Sequence, residues 1–461
     1  MKGFVKLIAV VVTAAAFAVS CSKDKDSGAV SFDKPAVFID APSGMATVGF
    51  TLRNIKTLSV TSQPTGWDES GTVVLAGVTP GGTSVSGVLF VGVVKTVDLS
   101  AAGVANSYMA SVKETNYLFD VMHKGDGSPL ATDHLGVIWK SASGLVQYLQ
   151  MENGKASFYI GADTEDSNKI LKGNAVIGAY DANDELIWSW HVWATDYDPE
   201  GENASVELNG YTMMTRNLGA LANGNATTSE ILASYGLYYQ WGRKDPFIGP
   251  STYKISSGQG AAMYNDSGSR TYVTMVASSA ETGTMDYAVK HPLTFVTGVA
   301  ESNNDWLWSK SDAGWSSDGD AGAKSVNDPC PYGWRVAPSA AFAGLEIVGT
   351  PAAGDEEKFG WTLTDGKAES FFMGGGRRRY DDGKIQNIYI PKDEAKMKLY
   401  TRADIAQPWE GLYWTTAVNG TQSHALHFWY EKLTGTGGIA PAEAYARANG
   451  MQVRCVKVKN L

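Results

Sequence analysis

Short apolar runs separated by turn residues are the feature that most limits the folds open to this chain. Between Ala29 and Val97 each run is rich in Val, Thr, Leu or Phe, and Pro, Gly, Ser or Asn separates it from the next. Such runs at a spacing of about 8–12 residues, without a helical period, are typical of antiparallel sandwiches. The pattern predicts a β-sandwich module over residues 30–97, built from AVFID, ATVGFTL, TLSVTS, TVVLAGV and VSGVLFVGVV.

The same texture continues over residues 98–195, where we expect a second β-sandwich module. Its last part indicates a hairpin, in which the turn DAND separates the runs VIGAY and LIWSWHVW. Alternation along the second run gives one wholly apolar face and one mixed face that carries His191. We therefore predict a central strand with a packed or hydrogen-bonded His191, the alternative being a catalytic or ligand-binding histidine. The acidic segment 196–205 indicates a linker.

The N terminus has the pattern of an export signal. A basic start precedes an apolar run of about 13 residues, which is too short to span a bilayer. The run ends in AVSC and resembles a bacterial lipoprotein signal, in which the cysteine is lipidated and becomes the first mature residue. The sequence predicts a signal peptide over residues 1–20, a lipidated Cys21 and a flexible tether over residues 21–29. The alternative is an ordinary secretory signal with a chance cysteine.

Charge and cysteine content narrow the classes of partner and chemistry. A net charge of −10 argues against nucleic acid and against an anionic membrane surface, because both attract basic faces. With Cys21 assigned to lipid, Cys330 and Cys455 remain as one pair in an exported, oxidising setting. We expect a disulfide between them, and a reactive thiol pair is the alternative.

Five motifs follow one another in the second half of the chain: YTMMTRNLGA, GLYYQWGRKDPF, DPCPYGWRVAPSAAF, GLYWTTA and NGMQVRCVK. Together with the glycine-arginine stretch GGGRRRYDDGK, they resemble the Fibrobacter succinogenes major paralogous domain, which is common in surface lipoproteins of the Bacteroidetes. The resemblance implies a C-type-lectin-like domain over residues 206–461, distantly related to formylglycine-generating enzymes and phage tail adhesins. Many such proteins sit in fimbrial operons and are described as adhesion or fimbrial tip proteins.

The expected fold class combines these observations. We expect a mainly β N-terminal half made of immunoglobulin-like β-sandwich modules, followed by an α+β C-type-lectin-like domain. In that domain the segment PSAAFAGLEIVG indicates a short helix that begins at Ser339 and turns Phe342 and Leu345 inward.

The sequence contains no recognisable catalytic or metal-binding constellation. It lacks HExxH, GxSxG and CxxC, and the acidic turn DANDEL lacks the glycine and the last glutamate of an EF-hand calcium loop. His424 and His427 stand three apart on an expected strand, so they would face opposite sides. We therefore expect no cofactor, no metal and no enzyme activity.

The acidic loop from Asn303 to Cys330 is the first candidate binding surface. Trp315 lies deep in this loop, and we predict that its exposed indole stacks on a sugar ring or a protein partner. Loop carboxylates would accept hydrogen bonds from ligand hydroxyls, and the candidates are Asp312, Asp318 and Asp320. We expect Trp306 and Trp308 to fill the core. The alternative is a long solvated loop with no ligand.

Arg378, the middle arginine of the run RRRYDDG, is the second candidate. It would bind an anionic group, and the alternative is a solvated hairpin with internal pairing to Asp381 or Asp382. At most two of the three arginines can share a face of a strand.

The sequence as a whole predicts a lipid-anchored protein of the cell outer membrane that works by binding, as a fimbria-associated adhesin. Its expected partners are fimbrial subunits and a glycan or protein receptor on host or partner cells, met by the C-terminal domain. One alternative is an enzyme of the formylglycine-generating type. Another is a structural pilus or envelope subunit without a ligand of its own.

Overall fold

A computed structural model describes residues 11–14, 27–40, 46–64, 69–224, 226–251, 260–312, 314–316, 323–349, 360–386, 409–431 and 434–459. The chain is mostly β, with 48% strand and 5% helix, as the expected class required. Among the described residues no helix is both long and apolar enough to cross a membrane. Residues 21–26, which include Cys21 and most of the predicted tether, lie outside the described residues. Ala29, the last residue of the predicted tether, begins the strand Ala29–Phe32 instead.

The chain divides into two compact units. The N-terminal unit comprises residues 1–99, 112–119 and 146–169, and the C-terminal unit comprises residues 100–111, 120–145 and 170–461. Residues 98–195, for which we predict one module, thus contribute to both units, and the predicted linker 196–205 lies within the C-terminal unit.

The described part of the N-terminal unit contains three sheets. A three-stranded sheet has the order Val11–Ala14, Thr47–Arg53, Ala29–Phe32, and a four-stranded sheet has the order Ala36–Ile39, Ser84–Val93, Gly71–Val78, Thr57–Ser62. The third has the order Gln147–Glu152, Lys155–Ile160, Thr115–Asp120, Thr96–Asp98. In Gly71–Val78 buried residues alternate with more exposed ones, as expected for a strand with one face on a core. Its inward residues pack with those of neighbouring strands, including Val37, Val73, Leu75 and Leu89.

The largest sheet of the C-terminal unit has six strands, and the hairpin expected around DAND lies inside it. The order is Arg270–Thr271, Met263–Tyr264, His134–Lys140, Gly173–Tyr180, Leu186–Ala194, Ser107–Ala110. Leu186–Ala194 pairs antiparallel with Gly173–Tyr180 and parallel with Ser107–Ala110, so it is a central strand buried on both faces. The predicted hairpin and central strand are confirmed.

Five smaller sheets contain the other described strands of the C-terminal unit. One four-stranded sheet has the order Ser205–Leu208, Tyr211–Met214, Cys455–Lys457, Trp334–Val336. A second four-stranded sheet has the order Tyr239–Gln240, Gly450–Met451, Arg377–Arg378, Ile385–Gln386. One three-stranded sheet has the order Glu346–Ile347, Gly360–Thr364, Glu369–Met373. Another has the order Trp409–Asn419, Gln422–Glu431, Thr436–Ala446. The last pairs Thr274–Ala277 with Thr294–Thr297 in parallel.

Among the described residues, helix is confined to short segments of the C-terminal unit. The helix Thr228–Ser234 is capped by Thr227 and the helix Met285–Lys290 by Thr284, since each threonine side chain accepts a hydrogen bond from a first-turn N–H. The helix expected from Ser339 is only the 3-10 turn Ser339–Ala341, although Phe342 and Leu345 are buried as predicted. Gly344 has φ +68°, a left-handed conformation that ends a helix.

Candidate functional site

His191, the only histidine within the tryptophan-rich strand, is a structural residue. Its Nδ1 lies 2.7 Å from the Ser107 hydroxyl oxygen, and its Nε2 lies 2.9 Å from Oδ1 of Asn174. Burial lowers the pKa of His191 to about 3, because the charged form would lose its hydration. The imidazole is therefore neutral and hydrogen bonded inside the sheet, which confirms the packed histidine expected from the sequence.

The two cysteines form the expected disulfide. Cys330 and Cys455 are bonded, their Cα atoms lie 6.1 Å apart, and both are fully buried. The bond joins the segment before Trp334–Val336 to the strand Cys455–Lys457, with which Trp334–Val336 pairs antiparallel. Neither sulfur is a free thiol, so this pair offers no nucleophile in the oxidised protein.

Trp315 is not the exposed platform that its place in a long loop suggested. The side chain is 0% exposed, and its indole N–H donates a 2.9 Å hydrogen bond to the carbonyl oxygen of Arg243. The ring lies 6.1 Å from the ring of Trp241. A Cβ at Gly314 would stand only 2.4 Å from that Trp241 ring, so glycine lets the loop fold back into the core. The prediction of an exposed indole at Trp315 is wrong.

The exposed indole of the loop is Trp308 instead. Trp306 is fully buried as expected, and its indole N–H donates to the carbonyl oxygen of Trp241 at 2.7 Å. Trp308, which we also expect in the core, is 37% exposed. Trp308 lies within a turn that the Lys310 N–H closes by a 3.0 Å hydrogen bond to the Leu307 carbonyl oxygen, and this turn carries the Trp308 side chain away from the core.

A cavity of about 330 Å³ lies beside Trp308. Its wall combines the indole with methionine and leucine side chains and with hydroxyls, contributed by Thr284, Met285, Leu307, Ser309 and Ser311. The backbone N–H of Trp308 donates a 2.9 Å hydrogen bond to the carbonyl oxygen of Gly283, and this bond holds the backbone of Trp308 in place. An aromatic face with nearby hydroxyls in a cavity of this size suits one ring of a ligand.

Two of the loop aspartates, Asp305 and Asp312, contact one buried arginine. Arg447 is fully buried, and it contacts Asp305 at 3.4 Å and Asp312 at 2.5 Å. Burial raises the pKa of Asp305 to about 6, although Arg447 and the Leu307 N–H oppose the rise. Asp312 keeps 62% of its side chain exposed, so one predicted ligand residue remains accessible beside the loop. Asp318 and Asp320 lie outside the described residues.

Asp328, at the end of the loop, has a structural role. Its two carboxylate oxygens accept backbone hydrogen bonds from Cys330 at 2.8 Å and from Val336 at 2.9 Å. It is fully buried, with the ammonium group of Lys324 at 3.5 Å. These bonds hold the turn before the disulfide, so Asp328 is not available to a ligand.

The three consecutive arginines have three separate environments. Arg379 forms the predicted internal pair with Asp381, through a 2.7 Å bond from Nε and a second bond from Nη2. Arg377 contacts Glu410 at 3.4 Å. Arg378 is buried and donates to the carbonyl oxygens of Gly383 and Ile248, each at 3.0 Å. Arg378 also lines a separate cavity of about 350 Å³, in which no other predicted ligand residue takes part.

His427 lies between two carboxylates, a pairing that the sequence did not predict. His427 Nδ1 lies 2.6 Å from Glu443, and His427 Nε2 lies 3.1 Å from Glu410. The Tyr445 hydroxyl lies 3.0 Å from the same Nδ1, and the Trp429 ring stacks on the imidazole at 4.8 Å. Burial alone would lower the pKa of His427, but its bonds to the two glutamates outweigh burial and raise it. Through its two ring nitrogens the imidazole thus joins the three strands of this sheet.

The WGRKD stretch forms a buried polar cluster. Lys244 donates to Asp245 at 2.7 Å and to the carbonyl oxygen of Ser189 at 3.0 Å, and both charged side chains are almost fully buried. The Arg243 guanidinium donates to Gln240 Oε1 at 2.9 Å and to the carbonyl oxygen of Thr294 at 2.8 Å. A serine next to a lysine can be a nucleophile and its base. Ser189 is buried and out of reach of a substrate, so it is not a nucleophile here. The cluster joins the strand Leu186–Ala194 to the WGRKD stretch.

Within the described ranges no group of three or more His, Cys, Asp and Glu side chains could hold a metal ion. Comparison of the chain with models of known families, with curated proteins and with solved structures finds no match.

Proposed function

We propose that this protein is a lipid-anchored surface protein that works by binding, as a fimbria-associated adhesin, and that its C-terminal unit carries the binding surface. The observation that carries the proposal is Trp308, an exposed indole at the edge of a cavity of about 330 Å³. The signal-like N terminus, Cys21 and the five family-like motifs support an outer-membrane location and an adhesive role. The acidic net charge supports a partner other than nucleic acid.

The cavity offers the contacts that a sugar ring or an apolar protein side chain needs. The Trp308 indole supplies a flat apolar face, and Thr284 and Ser309 supply hydroxyls that donate and accept hydrogen bonds. Anchors of this kind at the centre of an interface commonly carry most of its binding energy. We place the receptor contact here, with Asp312 as a neighbouring acceptor.

The finer folds belong to the same proposal. Alternating burial in strands such as Gly71–Val78 supports an immunoglobulin-like arrangement of the N-terminal unit. Short strands, long loops and a disulfide near the C terminus support a C-type-lectin-like arrangement of the C-terminal unit.

Binding of the purified full-length chain to a panel of immobilised glycans and glycoproteins tests the proposal. We expect binding that falls at least tenfold in Trp308→Ala. Trp429→Ala is the matched control, because Trp429 is a partly exposed indole away from the cavity and stacks on His427. Equal binding by the Trp308→Ala variant and the unaltered chain would contradict the site.

A structural pilus subunit is the second candidate, and an edge strand favours it. Thr57–Ser62 ends the sheet order of its four-stranded sheet, and all six of its residues are exposed. An exposed edge presents backbone N–H and C=O groups that pair readily with a strand of another chain. Enzyme activity of the formylglycine-generating type has less support, because such oxidases need reactive thiols and Cys330 and Cys455 are buried and bonded.

A further inference from the structure

The cavity lined by Arg378 has an unusual charge. Among the described residues, two arginines, Arg270 and Arg378, contribute to its wall, and no aspartate or glutamate does. The chain carries ten more acidic than basic side chains, 48 against 38, so a wall with only positive charge does not follow from composition. An enclosed space with one sign of charge attracts ions of the opposite sign.

Arg378 is a buried cation without a carboxylate partner among the described residues. Two of its N–H groups donate to the carbonyl oxygens of Gly383 and Ile248, and its Nε has no partner in this part of the chain. The ring centre of Tyr238 lies 5.8 Å from the guanidinium carbon. A guanidinium has five N–H donors, so the two carbonyl bonds fix its orientation and leave capacity for a further acceptor. Burial lowers the pKa of Arg378 to about 10, and the side chain therefore stays charged at neutral pH.

The rim of this cavity supplies a second cation and an aromatic face. Arg270 is exposed, and its guanidinium lies 5.3 Å from the ring centre of Tyr264. Tyr272, on the same wall, is 70% exposed. Thr271 and Ser251 add hydroxyl groups to the lining. Arginine binds carboxylates through paired N–H groups, and an exposed tyrosine ring packs against the face of a sugar.

We propose that this cavity binds a sugar residue that carries a carboxylate, such as a uronic acid, at the end of a glycan. The carboxylate lies between Arg270 and Arg378, the ring lies against Tyr272, and the hydroxyls bond to Thr271 and Ser251. The cavity volume of about 350 Å³ is within the range of small-ligand sites. This inference rests on the proposed binding function and names a ligand class for a site separate from Trp308.

Titration of the full-length chain with D-glucuronate and with D-glucose tests the proposal, because the two sugars differ at the carboxylate. Calorimetry or ligand-observed NMR should detect glucuronate binding at millimolar concentration and at least tenfold weaker binding of glucose. Arg270→Ala should weaken glucuronate binding at least tenfold while the melting temperature stays unchanged, since Arg270 is exposed. Arg53→Ala, an exposed arginine of the N-terminal unit, is the matched control and should bind as the unaltered chain does.

Further variants separate the parts of the site. Tyr272→Ala should weaken glucuronate but leave any binding of acetate unchanged, because only the sugar has a ring to pack. Arg378→Lys keeps the charge and loses the paired geometry, so a folded variant should bind glucuronate more weakly than the unaltered chain.

Three results would overturn the proposal: equal affinity for glucose and glucuronate, full affinity in Arg270→Ala, or tighter binding of a glutamate-rich peptide than of glucuronate. Glycan binding that depends on Trp308 and ignores the carboxylate would sink this site alone and leave the proposed function standing. If the unaltered chain binds no glycan and no glycoprotein, the result would count against both this site and the proposed function.

Discussion

The indole N–H of Trp315 donates a 2.9 Å hydrogen bond to the backbone carbonyl oxygen of Arg243, a residue 72 positions earlier in the chain. This bond and the neighbouring Trp241 ring place the middle of the acidic loop inside the core. The loop is therefore anchored at Trp306 and Trp315, and Trp308 is exposed between them.

Replacement of Trp315 by alanine should destabilise the C-terminal unit. A buried tryptophan truncated to alanine typically costs about 3–5 kcal/mol, through lost contacts and the cavity left behind. Urea unfolding followed by tryptophan fluorescence is a suitable measurement, since thirteen of the fourteen tryptophans belong to the C-terminal unit. Trp308→Ala is the control and should change the free energy of unfolding by less than about 1 kcal/mol. A larger loss in Trp308→Ala than in Trp315→Ala would reverse the assignment of core and surface.

Removal of the disulfide should lower the free energy of unfolding of the C-terminal unit and should leave ligand binding unchanged. Cys330→Ser combined with Cys455→Ser opens a loop of 125 residues, and loss of a native disulfide typically costs about 2–5 kcal/mol. Peptide mapping of the unreduced chain should find both cysteines in one cross-linked fragment. Rapid alkylation of both thiols in the native, unreduced protein would contradict the bond and revive the thiol-dependent enzyme.

His191 should make the C-terminal unit sensitive to acid. Its native pKa of about 3 lies below the ordinary value of 6.5, so the unfolded chain binds the proton more readily than the native protein. The free energy of unfolding should therefore fall as the pH drops from about 6.5 toward 3, by on the order of a few kcal/mol. His191→Gln should flatten this dependence. An equally steep acid loss in His191→Gln would show that other groups cause it.

His427 should give the opposite dependence. Its pKa is raised by Glu410 and Glu443, so the native protein binds the proton more tightly than the unfolded chain does. The stabilisation is complete below the unfolded pKa and is lost as the pH rises through the raised native pKa. The stability difference between the unaltered chain and His427→Gln should thus be largest near pH 5–6 and shrink toward pH 9. His424→Gln, in the same strand, is the control, and a difference that grows with pH would contradict the charged imidazole.

Self-association through the edge strand is testable with two valines of similar exposure. Val60 lies on the edge strand Thr57–Ser62 and is 55% exposed, whereas Val88 lies on the central strand Ser84–Val93 and is 57% exposed. If the chain polymerises through this edge, Val60→Lys should reduce the oligomers seen by analytical ultracentrifugation and Val88→Lys should not. An equal effect of both substitutions would indicate association through the sheet face.

The lipid anchor is testable in cells. Labelling with a fatty-acid analogue should mark the protein, and Cys21→Ser should abolish the mark, because the thiol is the predicted acylation site. Persistent labelling of the Cys21→Ser variant would contradict lipidation at Cys21 and favour the alternative, an ordinary secretory signal.

The sequence predicts those parts of the molecule that depend on local pattern. The hairpin around DAND follows from two alternating runs and a turn, and the disulfide follows from the two cysteines that remain once Cys21 is set aside. The burial of Trp315 depends on Arg243 far along the chain, so local reasoning placed the wrong indole at the surface. The pairing of His427 with Glu410 and Glu443 depends on strand register, which the sequence does not display.

Adhesion through Trp308 is testable on whole cells. Cells that carry equal surface amounts of the unaltered chain, Trp308→Ala and Trp308→Phe should be compared for attachment to a glycoprotein-coated surface. We expect Trp308→Ala to reduce attachment at least tenfold and Trp308→Phe to retain most of it, since phenylalanine keeps an aromatic face. Attachment that is unchanged in Trp308→Ala, with the variant folded and present at the surface, would contradict the assignment of the binding site.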